Sequence, residues 1–294
     1  MDLNGIVLLD KDPGITSFKA VKKVKGILGV KKAGHAGTLD KFASGLLIVC
    51  LGYATSFQNI FMEGEKIYRA TIRFGKQTDT LDPYGRVVRE SPVKKITKDS
   101  VEEVLNSFTG EIEQRPPAFS AIHVGGKRLY KKAIRGEDVE VPTRRVYVHW
   151  LRLIEIRNDS IVLEAKVSKG TYIRSLARDI AERLDTVGYC ESLRRMSIGV
   201  FDVEKSVKID AITPECVIQK EEALSFLPAI EVDENTAKAV SNGMPVGKLI
   251  SDRSPNINNN YIRILCKNRI IAILEKNRGF KYFKVIGMRS SDNS

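Results

Sequence analysis

The sequence predicts an α/β (α+β) fold followed by a small β-rich unit, and three observations carry that reading. Segments of strand length alternate cleanly, as in Lys66 to Phe74, where Tyr68, Ala70, Ile72 and Phe74 share one face and Arg69, Thr71 and Arg73 the other. Between such segments lie stretches whose apolar residues recur at helical spacing. From about Leu227 the character changes, and three strand-like runs with tight turns, Tyr261 to Lys267, Ile270 to Lys276 and Lys281 to Met288, close the chain.

Taken in order, Gly5 to Leu9 forms an opening strand, and Pro13-Gly14 turns the chain toward a helix that Ser17 is placed to cap. Val21, Val24, Ile27 and Leu28 mark the apolar stripe of that helix, and Lys22, Lys23, Lys25, Lys31 and Lys32 give it a basic flank. Ala33 to Gly45 follows, reading Ala-Gly-His-Ala-Gly-Thr-Leu-Asp-Lys-Phe-Ala-Ser-Gly. Gly34, Gly37 and Gly45 permit tight turns and close approach to a ligand, with one carboxylate, Asp40, five residues after His35. A glycine-rich loop with a single Asp is also the composition of a plain turn in which Asp bonds its own backbone. Leu46 to Leu51 reads as a buried strand directly after it.

Beyond the Lys66 to Phe74 strand, Asp82-Pro83-Tyr84-Gly85 is a turn, and Val101, Val104, Leu105 and Phe108 mark an amphipathic helix stopped by Gly110. Pro116-Pro117 begins an extended segment that turns at Gly125-Gly126. Lys127 to Gly136 reads as a short helix with five positive charges, Lys131, Lys132 and Arg135 among them, and a tyrosine. That mixture suits phosphate contacts with base or sugar stacking, and equally a solvated helix face. Strands around Val146 to Ile156 and Ile161 to Val167 are joined by an Asn158-Asp159 turn.

Ser168 to Ser175 enters a helix with the stripe Ile173, Leu176, Ala177, Ile180 and Leu184. Arg174 falls in its first turn, where the helix dipole favours an acid, so its charge is expected to serve a partner such as a buried carboxylate. Glu191 to Met196 heads a strand carrying Arg194 and Arg195. Asp233 can cap a short helix ending at Gly243, and 252–260 is a polar, asparagine-rich loop.

Composition narrows the class. The 294 residues carry 48 Lys and Arg against 36 Asp and Glu, a net charge of +12, which points to a polyanionic partner, nucleic acid first. Residues 228–294 hold 11 Lys and Arg against 6 Asp and Glu, so both parts of the chain are positive. No apolar run approaches the roughly 20 residues that span a bilayer, and the start lacks the features of a signal peptide, so a cytoplasmic location is expected. Cys50, Cys190, Cys216 and Cys266 are scattered and read as small core residues, and three histidines make a histidine metal site a poor fit.

Four blocks give the chain a recognisable pattern: Asp10-Lys11 through Gly14 to Ser17; Gly34-His35 through Asp40 to Gly45; Pro116-Pro117 through Ser120-Ala121 to Arg135-Gly136; and Lys169-Gly170-Thr171-Tyr172-Ile173-Arg174 on to Leu193-Arg194-Arg195. In order and spacing they resemble the B family of tRNA pseudouridine synthases, TruB-like enzymes acting on uridine 55 in the T arm. The resemblance spans nearly all of the first 200 residues; the last 65 or so resemble a PUA module more weakly, by position and strand pattern.

The resemblance implies a mixed, largely antiparallel central sheet of the pseudouridine synthase type in a catalytic domain of residues 1–227, and a PUA-like RNA-binding domain at 228–294. It implies Asp40 as the catalytic carboxylate, Arg174 as its ion-pair partner and Tyr68 as the ring stacked on the target base. His35 would contact the RNA, Tyr172 and Leu193 would line the pocket, and Lys131, Lys132 and Arg135 would bind substrate. It also implies a monomer acting on tRNA, with no cofactor, metal or membrane. A guide-RNA-dependent homologue and a non-catalytic RNA-binding protein or tRNA-folding chaperone are the alternatives. The chain departs from the family pattern at Lys41, where proline is usual, at Ala36 and Ser44, where threonine is usual, and at Pro13, one position late. These changes bear on loop rigidity and remove no group the chemistry needs.

Overall fold

In a computed structural model the described residues are 3–117, 123–124, 127–128, 142–250, 260–276 and 279–287. The order of strands in the main sheet explains how distant blocks meet. Across it, from one edge, run Ile218–Gln219, Gly5–Lys11, Ser44–Leu51, Gly188–Ile198, Lys66–Phe74, Ser160–Val167, Arg144–Arg157 and Gly110–Gln114, with Ala33–Ala36 and Phe201–Asp202 paired off this path, ten strands in all among the described residues. Neighbours are antiparallel except Gly188–Ile198 beside Ser44–Leu51, where Arg194 and Arg195 sit opposite Ser44 and Gly45. A mixed, largely antiparallel sheet is therefore what forms.

Alternation sorts each strand onto two faces. Val7, Leu9, Leu47, Val49, Ala70, Ile72, Leu163 and Ala165 face a layer of three helices, Ser17–Ile27, Lys98–Ser107 and Ile173–Arg183, which contribute Val21, Val24, Val101, Leu105, Leu176 and Ile180. Ile6, Leu8, Leu46, Ile48 and Cys50 face the other way, onto Phe57, Ile60, Phe61, Leu224 and Leu227. That second cluster also takes in Tyr261, Leu265, Ile270 and Ile273 from a four-stranded sheet formed by Ala229–Glu231, Tyr261–Cys266, Arg269–Lys276 and Phe280–Val285. The opposite face of this small sheet packs on the Glu234–Ser241 helix through Ile262, Ile264, Ala237 and Val240. Tyr53 joins the two parts, donating from Oη to the Val285 carbonyl at 3.1 Å.

Two local expectations change. Thr16, not Ser17, caps the first long helix, its hydroxyl accepting from the Lys19 N–H at 3.2 Å; Ser17 is buried and its hydroxyl is used elsewhere. Lys127 and Arg128, expected to open a helix, instead form a two-residue strand paired with His123–Val124. Asp233 does cap the Glu234–Ser241 helix, accepting from the Thr236 N–H at 2.7 Å. Lys131, Lys132 and Arg135, and the 252–260 loop but for Asn260, lie outside the described residues. Among the described residues no helix is long and apolar enough to cross a membrane.

Candidate active site

The site is built where the two blocks nearest the N-terminus lock together. Ser17 Oγ accepts the Leu39 N–H at 2.8 Å and donates to the Leu39 carbonyl at 2.9 Å, which fixes the residue before Asp40. The Gly14 N–H donates to the Lys41 carbonyl at 2.7 Å, fixing the residue after it. Lys11, fully buried, donates from Nζ to the carbonyls of Asp12 at 2.9 Å, Ile15 at 3.0 Å and Ala43 at 2.5 Å. Arg195, 1% exposed, donates from Nε to the Leu46 carbonyl at 2.8 Å and from its terminal nitrogens to the carbonyls of Thr38 at 3.3 Å and Gly37 at 3.1 Å. A loop of polar backbone is thus tied down by buried cations on both sides of Asp40.

Glycine is required at one point of this loop. Gly45 has φ +99°, and a Cβ there would lie 2.3 Å from the Arg195 carbonyl oxygen, a backbone atom that cannot move aside.

Arg174 reaches this loop from the first turn of the Ile173–Arg183 helix, and it is nearly enclosed. Its Nε lies 2.9 Å from Asp40 Oδ2, and its Nη2 donates to Asp40 Oδ1 at 3.3 Å. Its Nη1 donates to the Thr80 carbonyl at 2.7 Å and to Asp82 Oδ2 at 3.3 Å. The side chain of Arg174 is 5% exposed and that of Asp40 36%, so the acid keeps one side open while the guanidinium is sealed behind it. Burial pushes the Asp40 carboxyl above the usual Asp range; Arg174 opposes that rise, Asp82 adds to it, and Lys11 draws it back.

Asp82 is the site residue that sequence reasoning missed. It was legible only as the first residue of a turn, and it does serve the turn, accepting from the Tyr84 N–H at 3.0 Å and from Thr80 Oγ1 at 2.7 Å. Nothing in the spacing of 82 and 174 announces the ion pair, which depends on how the sheet brings the 80–85 turn over the helix start. Lys41, in place of the family's proline, sets its Nζ 5.0 Å from the centroid of the Tyr84 ring and so bridges the same two loops from outside.

The other candidates fall around this pair. Tyr68 is half-buried on the face that holds Ala70 and Leu39 and packs against that cluster. Leu193 stands opposite Ala70 in the neighbouring strand and is buried in the same cluster, so it belongs to the same wall. Tyr172 precedes the Arg174 helix; its backbone is clasped by the buried Gln114, which accepts its N–H at 2.8 Å and donates to its carbonyl at 3.0 Å. Arg144 lies over its ring, 5.1 Å from the centroid. His35 lies in the Ala33–Ala36 strand, with Nδ1 buried and without a hydrogen-bond partner among the described residues, and burial together with nearby Arg195 lowers its pKa, favouring the neutral ring.

A carboxylate is thus held at the open edge of an apolar wall by a buried arginine, where the first, second and fourth of the sequence blocks meet. A family model described as TruB family pseudouridylate synthase (N-terminal domain) matches residues 25–173. The chain is 42% identical over 245 residues to a tRNA pseudouridine synthase B of Caldanaerobacter subterraneus subsp. tengcongensis, covering 83% of this chain and 86% of that protein. The chain belongs to the TruB family of pseudouridylate synthases. A second member, a tRNA pseudouridine synthase B of Clostridium perfringens, is 38% identical over 97% of this chain and 99% of its own length. Among solved structures, a Cbf5-Nop10-Gar1 complex matches with TM-score 0.70 at 24% identity over 93% of this chain and 78% of that one. An H/ACA RNP bound to a substrate RNA containing 2′-deoxyuridine matches with TM-score 0.71 at 22% identity over 99% and 87%. These two likenesses establish the pseudouridine synthase fold, to which a small C-terminal sheet of PUA-like form is joined.

Proposed function

We propose that this TruB-family chain converts uridine 55 in the T arm of tRNA to pseudouridine, with Asp40 as the catalytic carboxylate, Arg174 as its positioning partner and Tyr68 as the ring against which the target base stacks. The observation that carries the assignment is the two-point contact of Arg174 with Asp40 beside the wall of Tyr68 and Leu193. The reaction breaks the bond from N1 of uracil to C1′ of the ribose and forms one from C5 to C1′; C5 gives up its proton and N1 gains one, so no oxidant or group donor enters. A carboxylate serves it by adding to C6, by attacking C1′ or by removing the 2′ proton, and each route needs the anion. Arg174 favours that anion against burial.

The uridine is stacked in a folded loop, and extruding it costs a few kcal/mol. Tyr68, Leu193 and Tyr172 offset part of that with a ring face and apolar walls, while His35 contacts the RNA. Lys131, Lys132 and Arg135 contribute phosphate contacts, and the 228–294 unit acts as a PUA-like domain gripping the acceptor side. The chain works as a cytoplasmic monomer without cofactor or metal.

A guide-dependent role is the second reading, since both solved structures above carry other proteins or RNA in their names. Relatives named tRNA pseudouridine synthase B, matched over nearly their whole length, favour the stand-alone form. Tritium release from 5-tritiated uridine in a T-arm transcript decides. Release by wild type and none by Asp40→Asn is expected; tight binding without release by either protein supports a binder or chaperone.

A further inference from the structure

The Ser17–Ile27 helix is used by the site only through Ser17, yet its outer face is unlike a neutral solvated surface. Between Asp12 and Asp40 the sequence has six lysines and no acid. Lys19, Lys22, Lys23 and Lys25 are all exposed, and none has an ion-pair partner among the described residues. In their midst Phe18 is 74% exposed, with its ring turned away from the core that Ala20, Val21 and Val24 enter. Phe18, Lys22 and Lys25 follow i, i+4, i+7 spacing and make one row; Lys19 and Lys23 make the next.

The placement of this face gives it a partner. The helix packs on the same side of the large sheet as Leu39, Phe42 and Leu193, and Ser17 holds Leu39 beside Asp40. Successive helix residues are turned by about 100°, so Phe18 projects next to the Asp40 loop and outward. The lysines follow along the helix from there, Lys25 lying about 12 Å beyond Ser17.

We infer that this helix is a second RNA grip: the lysine rows hold backbone phosphates of the strand flanking the extruded nucleotide, and Phe18 stacks on a base or ribose beside it. The inference rests on the functional reading above and adds an RNA surface to the residues assigned there. Charge complementarity selects a polyanion, and a lone exposed ring amid ammonium groups suits a base, which offers a π-face next to phosphates.

The test compares Lys19→Ala/Lys22→Ala/Lys23→Ala/Lys25→Ala, Phe18→Ala and Phe18→Tyr with wild type. A matched-charge control is Lys76→Ala/Lys94→Ala/Lys95→Ala/Lys98→Ala. T-arm stem-loop RNA is bound at several salt concentrations, and KM and kcat are taken from tritium release. The helix variant is expected to lose on the order of tenfold in affinity near 0.1 M salt and to lower the slope of log K against log salt by about 2–3. Phe18→Ala is expected to raise KM by about five- to tenfold, and Phe18→Tyr to restore it. An unchanged slope, or an equal drop in the control, overturns the inference. So does a Phe18→Ala effect confined to self-association of the chain in sedimentation. If wild type binds but releases no tritium, the functional reading fails, while the salt slopes still decide whether this helix holds RNA.

Discussion

The two faces of the ten-stranded sheet bury different things. The face toward the small C-terminal sheet is filled by Ile6, Ile48, Phe57, Phe61, Leu224 and Ile273, an apolar cluster that needs no fixed partners. The opposite face, around the site, admits Lys11, Arg174 and Arg195 as sealed cations, with Asp82 almost as enclosed. A buried charge without acceptors costs several kcal/mol, so each of these cations dictates the position of the oxygens around it. Lys11 and Arg195 each hold three carbonyls of the loops about Asp40, and Arg174 holds one carbonyl and two carboxylates. Apolar packing can hold a sheet together while leaving its loops free, whereas buried cations specify the path of one loop.

The strongest way to break this contrast is Arg174→Met. It leaves Asp40 and Asp82 near one another without the guanidinium between them, and breaking such a buried arrangement costs about 3–5 kcal/mol of stability. Turnover is expected to fall by about a thousandfold or more, with RNA affinity changed by less than about threefold. The acid limb of kcat should also move to higher pH, because the Asp40 carboxyl, already raised by burial, loses the charge that opposes the rise. Urea unfolding measures the stability loss and rapid-quench turnover and filter binding across pH the other three effects; an affinity loss as large as the turnover loss would show that Arg174 serves binding instead.

On the apolar face the expected pattern is reversed. Phe57 is fully buried and meets Tyr53 edge to face at 5.6 Å between ring centroids. Phe57→Ala should cost about 3–5 kcal/mol in urea unfolding, from lost transfer energy and the cavity left behind. Single-turnover rates of the folded fraction should stay within about twofold. A large rate loss would mean that the two faces are mechanically coupled.

These differences explain what was legible in the sequence. Alternation and helical spacing depend on a residue's own neighbours, so Lys66–Phe74, Ser160–Val167 and the Ile173–Arg183 helix were readable to within a few residues. Arg174 was readable as serving a buried carboxylate because an arginine at a helix start lacks a local reason, but only the family resemblance named Asp40 as that carboxylate, since an Asp in a glycine-rich loop equally suits a plain turn. Lys11, Arg195 and Asp82 were not assigned their contacts. Arg194 and Arg195 are adjacent and alike in composition, yet Arg194 stays partly exposed and pairs with Asp10 at 2.9 and 3.0 Å while Arg195 is sealed under the loop. Only the parallel register with Ser44 and Gly45 tells them apart, and register between strands 150 residues apart is not written locally.

A smaller effect sharpens the contrast through pH. Burial lowers the Lys11 ammonium to about 8 from its ordinary value of 10.5. Below about 8 the amine is charged in folded and unfolded chains alike, and the burial penalty is complete. Between about 8 and 10.5 only the unfolded chain keeps the proton, so this group's contribution to stability rises with pH. Wild type should therefore gain on the order of 1–2 kcal/mol relative to Lys11→Met between pH 7.5 and 9.5 in urea unfolding. Lys66, lowered to about 8 by the same cause, is present in both proteins and cancels in the difference. A constant gap would mean that the three carbonyls hold the ammonium charged well above pH 8.

The smallest expected effect lies at the rim, where Lys41 replaces the family's usual proline. The ammonium over Tyr84 joins the Asp40 loop to the turn bearing Asp82, but the ring is 58% exposed. An exposed cation–π contact is worth about 0.5–1 kcal/mol, far less than any of the buried cations beneath it. Lys41→Ala and Tyr84→Ala should each reduce stability by less than about 1 kcal/mol and slow turnover by no more than about fivefold. The double variant should show a coupling of about 0.5–1 kcal/mol in a mutant cycle. Zero coupling would leave the buried contacts to position this loop alone; coupling well above that range would mean that the exposed rim, and not the sealed cations, holds Asp40 toward Arg174.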